Sequence, residues 1–474
     1  MRMTTTTAAR LEGRAQTSRG RATVLGLLAT AQLMLILDMT VVNVALPAIS
    51  SELGLTTTSI AWVLTSYTVT FGGLMLLGGR VADLVGPRPC VTTGLLVFVG
   101  ASILSGAAQT PEMLLAGRAL QGVGAAILSP AALALVLSVH PGEHRARAMG
   151  LWGALSGLGG ALGVVVGGVL TSTAGWRWIF TINVPIGVAI LVSMPFVVPH
   201  APRPPRGRRL DLPGGLLVTA ATGSAIYGLT QVAQHGWVSM STAAPLAVAL
   251  LLYAVFAVVE RRTPDPLLTV TLLRRRPVAA GAFLMLVGTA LMVGGFFLGS
   301  FALQRVDSLT AAQVGLAFLP VAAAVVLGAH LAGRLLGRVP ATGVAVVGLL
   351  LAAAGNGVAA LGTSAVAVVL GLTVAAFGIG GTFVTAFTAA LADATATTGG
   401  LRSALVNTFH ELGGAFGVAV LASVVGASLA AVPTEADLTR AFGVAAVAAA
   451  LAAAGAAALV PRTIRTDVAP THHH

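Results

Sequence analysis

An apolar run at residues 24–47 (VLGLLATAQLMLILDMTVVNVALP) is long enough to cross a lipid bilayer, and it contains one carboxylate, Asp38. A helix that spans the hydrocarbon core needs about 20 apolar residues. An ionised side chain near the centre of the bilayer costs at least about 2.5–3.5 kcal/mol. We therefore expect Asp38 to be a proton, ion or substrate site. The structural alternative is a carboxylate neutralised by a neighbouring arginine.

Further apolar runs follow along the whole chain and predict a polytopic helical membrane protein. The 474 residues are 56% hydrophobic and 9% charged, whereas soluble proteins carry roughly 25% charged residues. A transmembrane barrel would show short alternating segments instead. The predicted fold class is all-α, with fourteen spans at about 24–47, 59–79, 90–108, 112–138, 147–171, 178–199, 212–233, 243–261, 278–303, 311–335, 341–361, 365–391, 402–430 and 440–460.

The basic residues, all 27 of them arginine, concentrate at one end of the predicted spans. The side of the N-terminal tail carries 23 of them, the other side carries three, and Arg118 lies inside a span. Because cytoplasmic loops carry the excess of positive charge, we expect a cell (inner or plasma) membrane protein with both termini in the cytoplasm. This distribution accounts for the net charge of +12 without nucleic acid as a partner.

Two long connections rich in proline and arginine, 200–211 and 260–277, divide the spans into six, two and six. The dipeptide Gly79-Arg80 in the first group of six recurs as Gly333-Arg334 at the corresponding position of the second group. This short similarity favours parallel repeats. The predicted organisation is a disordered basic cytoplasmic tail (1–23), a six-helix bundle (24–199), a linker with an inserted helix pair (200–277), a second six-helix bundle (278–461) and a cytoplasmic tail with tag-like histidines (462–474).

The loop GGRVADLVGPRP at 78–89 predicts a sharp turn between the second and third spans. Gly79 and Gly86 allow two helix ends to approach closely. Asp83 is expected to pair with Arg88 at the inner face, beside Arg80. The alternative is an ordinary tight cytoplasmic turn.

Arg118 and Gln121 share one face of the fourth span, since residues three apart are neighbours on a helix. Arg118 lies at nearly the same depth as Asp38, and a buried charge needs a partner. We therefore predict a layer in which Asp38 pairs with Arg118. The alternative is a structural arginine satisfied by carbonyl groups.

The fifth span is dense in glycine. Gly157, Gly160, Gly167 and Gly168 share one helical face, and Gly163 lies in the same segment. Small residues on one face let a second helix pack against the backbone. Ordinary helix packing and a mechanistic role are both compatible with this pattern.

The segment NTFHELGGAFGV at 407–418 brings titratable groups into the thirteenth span. We expect Glu411 and His330 to form a second layer of paired titratable side chains. The alternative is that Glu411 forms a purely structural pair and carries no proton. Histidine is suited to proton transfer because its side chain gains or loses a proton near neutral pH. The polar side chains that we expect to line a substrate cavity are Gln32, Asn43, Gln121, His330, Asn407 and His410.

The motif LDMTVVNVALP at 37–47 closely resembles the first-span motif of the fourteen-span drug:proton antiporters of the major facilitator superfamily. Asp38, Thr40, Asn43 and Pro47 match it. The 78–89 loop, the fourth-span arginine and the glycine-rich fifth span are similar to further motifs of the superfamily. The chain departs from the family pattern at Leu84 and Pro87, at Val164 in place of a proline, and at His410-Glu411 in place of an Arg-Gln pair.

The resemblance implies two six-helix halves around a central cavity, with an inserted helix pair. It implies proton-driven export of hydrophobic or amphipathic small molecules such as antibiotics. The residues expected to couple protons are Asp38, Glu411 and Arg118. The expected partners are the lipid bilayer, a small-molecule drug and protons, and we expect a monomer.

Other classes of function find less support in the sequence. A chain without lysine has no Walker-type nucleotide loop. We find no cluster typical of a catalytic or metal site and expect no enzyme, cofactor or metal. A proton symporter that imports a metabolite is the nearest alternative, followed by a membrane receptor or enzyme.

Overall fold

The structure is a computed structural model, and most of the chain between residues 18 and 462 is described in it. The described residues are 18–55, 57–140, 148, 151–152, 155, 159, 162–163, 166–198, 211–264, 266–268, 270–306, 309, 311–336, 338–362, 364–392, 394, 399–425 and 434–462.

These residues form α-helices joined by short connections. The helices are Ser18–Leu53 (α1), Thr57–Val85 (α2), Pro87–Gly106 (α3), Pro111–Val139 (α4), Trp178–Thr181 (α5), Asn183–Val197 (α6), Leu212–His235 (α7), Met240–Glu260 (α8), Val270–Arg274 (α9), Arg276–Phe301 (α10), Ala311–Ala317 (α11), Leu319–Leu335 (α12), Ala341–Leu361 (α13), Ala365–Ala390 (α14), Gly399–Val425 (α15) and Glu435–Leu459 (α16). A π-helical turn, Ala302–Val306, follows α10.

Thirteen helices of the described residues are long and apolar enough to cross a membrane. The predicted fold class, an all-α polytopic membrane protein, is thereby confirmed. In a bilayer core without water, a helix is the structure that pairs every backbone N–H and C=O within its own segment. The predicted fifth span at 147–171 falls largely outside the described residues, and thirteen helices are consistent with the fourteen spans expected. The predicted division into domains stays a prediction.

Helix bounds differ from the sequence prediction at several places, including the first span and the predicted span 311–335. Helix α1 begins at Ser18 and runs to Leu53, well beyond the predicted 24–47. The predicted span 311–335 is interrupted at Phe318, where α11 ends and α12 begins. Pro320 in the first turn of α12 explains this break, because proline cannot donate a backbone hydrogen bond.

Helix ends are fixed by local side-chain chemistry. The Thr110 hydroxyl accepts a hydrogen bond from the Met113 N–H (3.3 Å) at the start of α4, and the Asp211 carboxylate accepts one from Gly214 (2.9 Å) at the start of α7. Both side chains satisfy N–H groups that the first helical turn leaves unpaired. Gly86 joins α2 to α3 with φ 103°, a left-handed conformation that favours glycine.

Close contacts between helices depend on glycine. A Cβ on Gly124 of α4 would lie 2.9 Å from the Gly94 carbonyl oxygen of α3. In α15, a Cβ on Gly413 or Gly417 would lie 2.4 Å or 2.2 Å from carbonyl oxygens of α10. In the membrane, where lipid is as apolar as the helix surfaces, such backbone approach is a main source of helix association.

The predicted inserted pair, α7 and α8, packs beside α2 and α15. A Cβ on Gly73 of α2 would lie 3.1 Å from the Thr219 carbonyl oxygen of α7. Helix α8 packs on α7, where the Thr222 and Tyr253 hydroxyl groups are 2.8 Å apart. Most of α8 is exposed, including Leu250 and Leu251. Helix α7 therefore touches both groups of six predicted spans, while α8 covers α7.

The two groups also meet at the end of the bundle where the arginines concentrate. An oxygen of the Asp83 carboxylate accepts a hydrogen bond from the backbone N–H of Leu401, in the first turn of α15 (2.9 Å). The predicted Asp83–Arg88 pairing is wrong, since no ion pair joins these two described residues. The unpaired N–H groups at a helix start attract a carboxylate, and they lie across the contact between the two groups.

We predict that Gly417→Ala destabilises the protein by about 1–3 kcal/mol, because the new methyl group overlaps the Ala290 carbonyl oxygen of α10. Gly443→Ala in α16 is the matched control, since no atom lies within 4 Å of its Cβ position. Thermal unfolding of both variants in detergent measures the difference. Equal melting temperatures for the two variants would contradict the assigned contact between α10 and α15.

Candidate functional site

The centre of the candidate site is a buried ion pair between α1 and α4. Nη1 of Arg118 lies 2.5 Å from Oδ2 of Asp38. Arg118 is fully buried and Asp38 is 2% exposed. The predicted pairing of these two residues is therefore confirmed.

Amide groups complete the surroundings of the Asp38 carboxylate. Nε2 of Gln121 donates to Oδ1 of Asp38 at 3.0 Å, and Nδ2 of Asn183 donates to the same oxygen at 2.7 Å. Gln121 also donates to the Ser102 hydroxyl at 2.8 Å. The carboxylate thus accepts hydrogen bonds from three side chains on two helices beyond its own, which replace water that it loses on burial.

The guanidinium of Arg118 is held by α2 as well as by Asp38. Its Nε donates to the Val63 carbonyl oxygen at 3.1 Å, and Nη1 also donates to Oε1 of Gln121 at 2.9 Å. The Tyr67 ring lies below it, with the guanidinium carbon 4.3 Å from the ring centroid. A cation over a desolvated aromatic face gains about 2 kcal/mol or more.

This arrangement links charge to helix position. Removing two ions from water costs several kcal/mol for each ion, and their attraction offsets that cost only with good geometry and saturated hydrogen bonds. Helices α1, α2, α3, α4 and α6 all contribute a group to the network. Neutralising Asp38 would leave the Arg118 charge buried without a counter-ion, so the charge of Asp38 and the packing of these helices depend on each other.

Glu411 has very different surroundings. It is 6% exposed in the middle of α15, and its Cβ lies 3.3 Å from the Cβ position of Gly72 in α2. The same position of Gly72 is 2.4 Å from a methyl group of Ile226 in α7. Within the described part of the chain, no ion pair joins the Glu411 carboxyl group to a basic side chain. A titratable group therefore lies between three helices without a counter-charge.

The predicted pairing of Glu411 with His330 is wrong. No contact between these two described residues is present, and the His330 side chain is exposed on α12. Helix α12 shows exposed Leu327 and Leu331 on the same side as His330. Similar depth in two spans does not imply contact, because helix rotation places the two side chains on different sides. The role of His330 in a cavity stays a prediction.

Among the predicted cavity residues, Gln121 belongs to the ion-pair network, Gln32 and Asn407 are buried, and His410 is partly buried. The ring nitrogen Nδ1 of His410 is 2.9 Å from the Thr289 hydroxyl of α10. Gln32 and Asn407 are 8% and 7% exposed. Oε1 of Gln32 and Nδ2 of Asn407 have no partner within the described residues, so each could bind a ligand or water. The side chain of Asn43 lies outside the described residues.

The glycine stripe of the predicted fifth span differs from the expected one. The residues that approach α1 are Gly159, Gly163 and Gly167, at intervals of four; a Cβ on Gly163 would meet the Thr40 hydroxyl. Gly168 has no atom within 4 Å of its Cβ position, and Gly157 and Gly160 lie outside the described residues. Small residues four apart form one packing face, so a close contact with a neighbouring helix is present, and Gly167 is the member of the expected stripe that takes part in it.

The motif residues of the 78–89 loop lie where α2 ends and α3 begins. Gly79, Arg80 and Asp83 are buried, and Arg88 is partly buried. Of these loop residues, Asp83 accepts a hydrogen bond from the backbone of α15.

Sequence reasoning missed four residues of the ion-pair network: Tyr67, Ser102, Ser105 and Asn183. The signal that they give is weak, namely a polar residue within an apolar span. Oγ of Ser105 lies 3.4 Å from Oε1 of Gln121. Only the packing of α2, α3, α4 and α6 around Asp38 assigns these residues to the same site. Over the residues that the structure covers, no group of three or more His, Cys, Asp or Glu could hold a metal ion.

Comparison with known proteins gives a consistent set of similarities. A family model described as the Major Facilitator Superfamily matches residues 28–418. The puromycin resistance protein pur8 of Streptomyces alboniger is 41% identical over 419 residues, which cover 85% of this chain and 81% of that protein. The cephamycin export protein CmcT of Amycolatopsis lactamdurans is 37% identical over 453 residues, 91% of each chain.

A solved structure with a similar fold is the human organic anion transporter MFSD10 (TETRAN). It covers 92% of this chain and 99% of that one, with a TM-score of 0.65 and 14% identity. At this identity the similarity shows the fold alone.

We predict that Asp38→Asn destabilises the folded protein by about 3–5 kcal/mol, since Arg118 would keep a buried charge without a partner. Adding Arg118→Gln should recover much of that loss. Glu52→Gln is the control, because Glu52 pairs with Arg177 through side chains that are 50% and 36% exposed, and a smaller change is expected. Thermal unfolding in detergent tests this, and a double variant no more stable than Asp38→Asn would contradict it.

Proposed function

This chain belongs to the Major Facilitator Superfamily, and on that basis we propose that it is a proton-coupled exporter of hydrophobic or amphipathic small molecules, including antibiotics. The proposal has two parts, the class of substrate and the coupling to protons. Different observations support them.

The class of substrate is supported by the similar proteins. The name of pur8 describes resistance to puromycin, and that of CmcT describes export of a cephamycin. Both similarities extend over more than four fifths of each protein. Export of a small antibiotic would account for both names, and it suits a chain with thirteen described apolar helices.

The observation that carries the coupling to protons is the buried Asp38–Arg118 pair. Its charges are compensated by groups from five helices. Protonation of Asp38 removes the counter-charge of Arg118 and changes the relative stability of two helix arrangements. Proton binding can shift such an equilibrium only to the extent that the two arrangements differ in their affinity for the proton. An arrangement in which Asp38 is paired with Arg118 should bind a proton more weakly than one in which the pair is separated.

Glu411 is proposed as the second protonation site. It lies where α15 meets α2 and α7, so its protonation state acts on the contact between the two groups of spans. A bound proton is the compensating charge available to this carboxylate, because no described cation pairs with it. A cationic substrate could compensate the charge of Glu411 in the same way. Proton and substrate would then compete for this carboxylate.

We also propose the orientation and setting of the protein. The excess of arginine at one end of the spans supports an orientation in which that end and both termini lie on the cytoplasmic side of the cell membrane. The hydrogen bond between Asp83 and Leu401 then joins the two groups of spans on the cytoplasmic side. The proposed active unit is a monomer that takes its substrate from the cytoplasm or the bilayer and binds protons from outside.

The experiment measures uptake of puromycin into everted membrane vesicles that have an acidic lumen. Antiport predicts accumulation of puromycin together with alkalinisation of the lumen. Asp38→Asn and Glu411→Gln should each reduce accumulation at least about fivefold, the lower end of typical coupling between two sites. Glu112→Gln is the control, since Glu112 is an exposed carboxylate at the start of α4.

The direction of the gradient separates antiport from its alternative. Accumulation only when the outside of the vesicle is acidic would mean symport and would overturn the proposal. Wild-type uptake that is independent of either gradient would overturn the coupling to protons.

A further inference from the structure

A groove lies between α2 and α7, outside the ion-pair network. Its volume is about 410 Å³, and small-molecule sites typically have about 300–1,000 Å³. It extends along α2 from Trp62 to Leu74, within the predicted span. Neither Asp38 nor Glu411 lines it.

The walls of the groove are aromatic and apolar, with a few hydroxyl groups. The rings of Trp62 and Tyr227 stack with centroids 5.4 Å apart and an interplanar angle of 22°. Thr219 and Ser224 supply hydroxyl groups, and the buried Oγ1 of Thr219 has no partner within the described residues. No described residue of the lining is charged. These walls suit a flat aromatic molecule with one hydrogen-bonding group, whatever its charge.

The groove is open on the side of the protein that faces lipid. Trp62 at its rim is 39% exposed, and Ala220 is exposed as well. Leu216, one helical turn before Ala220 on α7, is 65% exposed. An exposed leucine within a membrane span contacts acyl chains, so a molecule dissolved in the bilayer can reach the groove directly.

The inner wall of the groove is in contact with the ion-pair site. Thr70 of α2 lines the groove, and its hydroxyl oxygen lies 1.9 Å from the Cβ position of Gly122 in α4. Gly122 follows Gln121, which contacts both Asp38 and Arg118. The α2 backbone at Val63 accepts a hydrogen bond from Arg118. A ligand that moves α2 would therefore act on the network around Asp38.

We propose that this groove is a binding site for planar aromatic amphipaths that arrive from the bilayer, formed by α2 together with the first helix of the inserted pair. It rests on the export function proposed above, because the bound molecule is a substrate on its way to transport. The inserted pair thereby gains a role, which is to provide half of a lipid-facing substrate site.

The first test measures binding of two fluorescent probes, ethidium and N-phenyl-1-naphthylamine, to the purified full chain in lipid nanodiscs. Trp62→Ala should weaken both affinities about fivefold or more, as truncation of a central aromatic contact does. Trp237→Ala is the matched control, since Trp237 is also 39% exposed but lies in the turn between α7 and α8. Equal affinities for the two variants would overturn the inference, as would an absence of saturable binding by both probes in wild type.

A second variant tests the groove without removing an aromatic ring. Ala220→Phe fills the groove from its exposed rim, so the fold should persist, as an unchanged melting temperature would show. It should weaken probe binding about fivefold or more and should reduce puromycin uptake in the vesicle assay. Unchanged binding in this folded variant would mean that lipid alone occupies the groove, and the inference would be wrong.

The two proposals fail in different ways. If Trp62→Ala and Ala220→Phe bind probes and export puromycin like wild type while Asp38→Asn does not export, the groove inference fails and the exporter proposal stands. If wild type binds the probes in the groove but shows no proton-dependent uptake, the exporter proposal fails, and with it the role of the groove in transport.

Discussion

The Asp38–Arg118 ion pair is the interaction on which the first group of helices depends. A charge in the membrane interior is tolerated when protein groups replace the water that it loses. Here the replacement requires a carbonyl and an aromatic ring from α2, hydroxyl groups from α3, an amide from α4 and another from α6. Each of these helices must therefore keep a defined rotation and depth. The chemistry that couples protons in the proposed mechanism is also the chemistry that orders the helices.

The second group of helices uses a different principle around Glu411. Backbone contact between α10 and α15 through Gly413 and Gly417 fixes the position of α15 without any charge pair. The Glu411 carboxyl group can then remain unpaired within the described structure, since its helix is held by packing. One half therefore contains a carboxylate that a described arginine compensates, and the other half contains a carboxyl group that no described basic side chain pairs with.

Helix α7 is the element that brings these two environments together. It packs against α2, whose Val63 and Tyr67 hold Arg118, and it reaches Gly72 and Glu411 through Ile226. The inserted pair is thus more than a spacer between two bundles. Its first helix contacts both, and its second helix separates the first from much of the surrounding lipid.

The sequence by itself determined the membrane class, nearly all of the spans, the motifs and the pairing of Asp38 with Arg118. These follow from apolar length and from the cost of burying a charge, and both are properties of residues along one chain. Only the tertiary structure decided that Ser102 and Asn183 join the network, that Asp83 contacts Leu401 instead of Arg88, and that Glu411 does not pair with His330. The physical reason is helix rotation. Sequence fixes how deep a residue lies in its span, but packing against several neighbours decides which way the side chain points, and contact requires both.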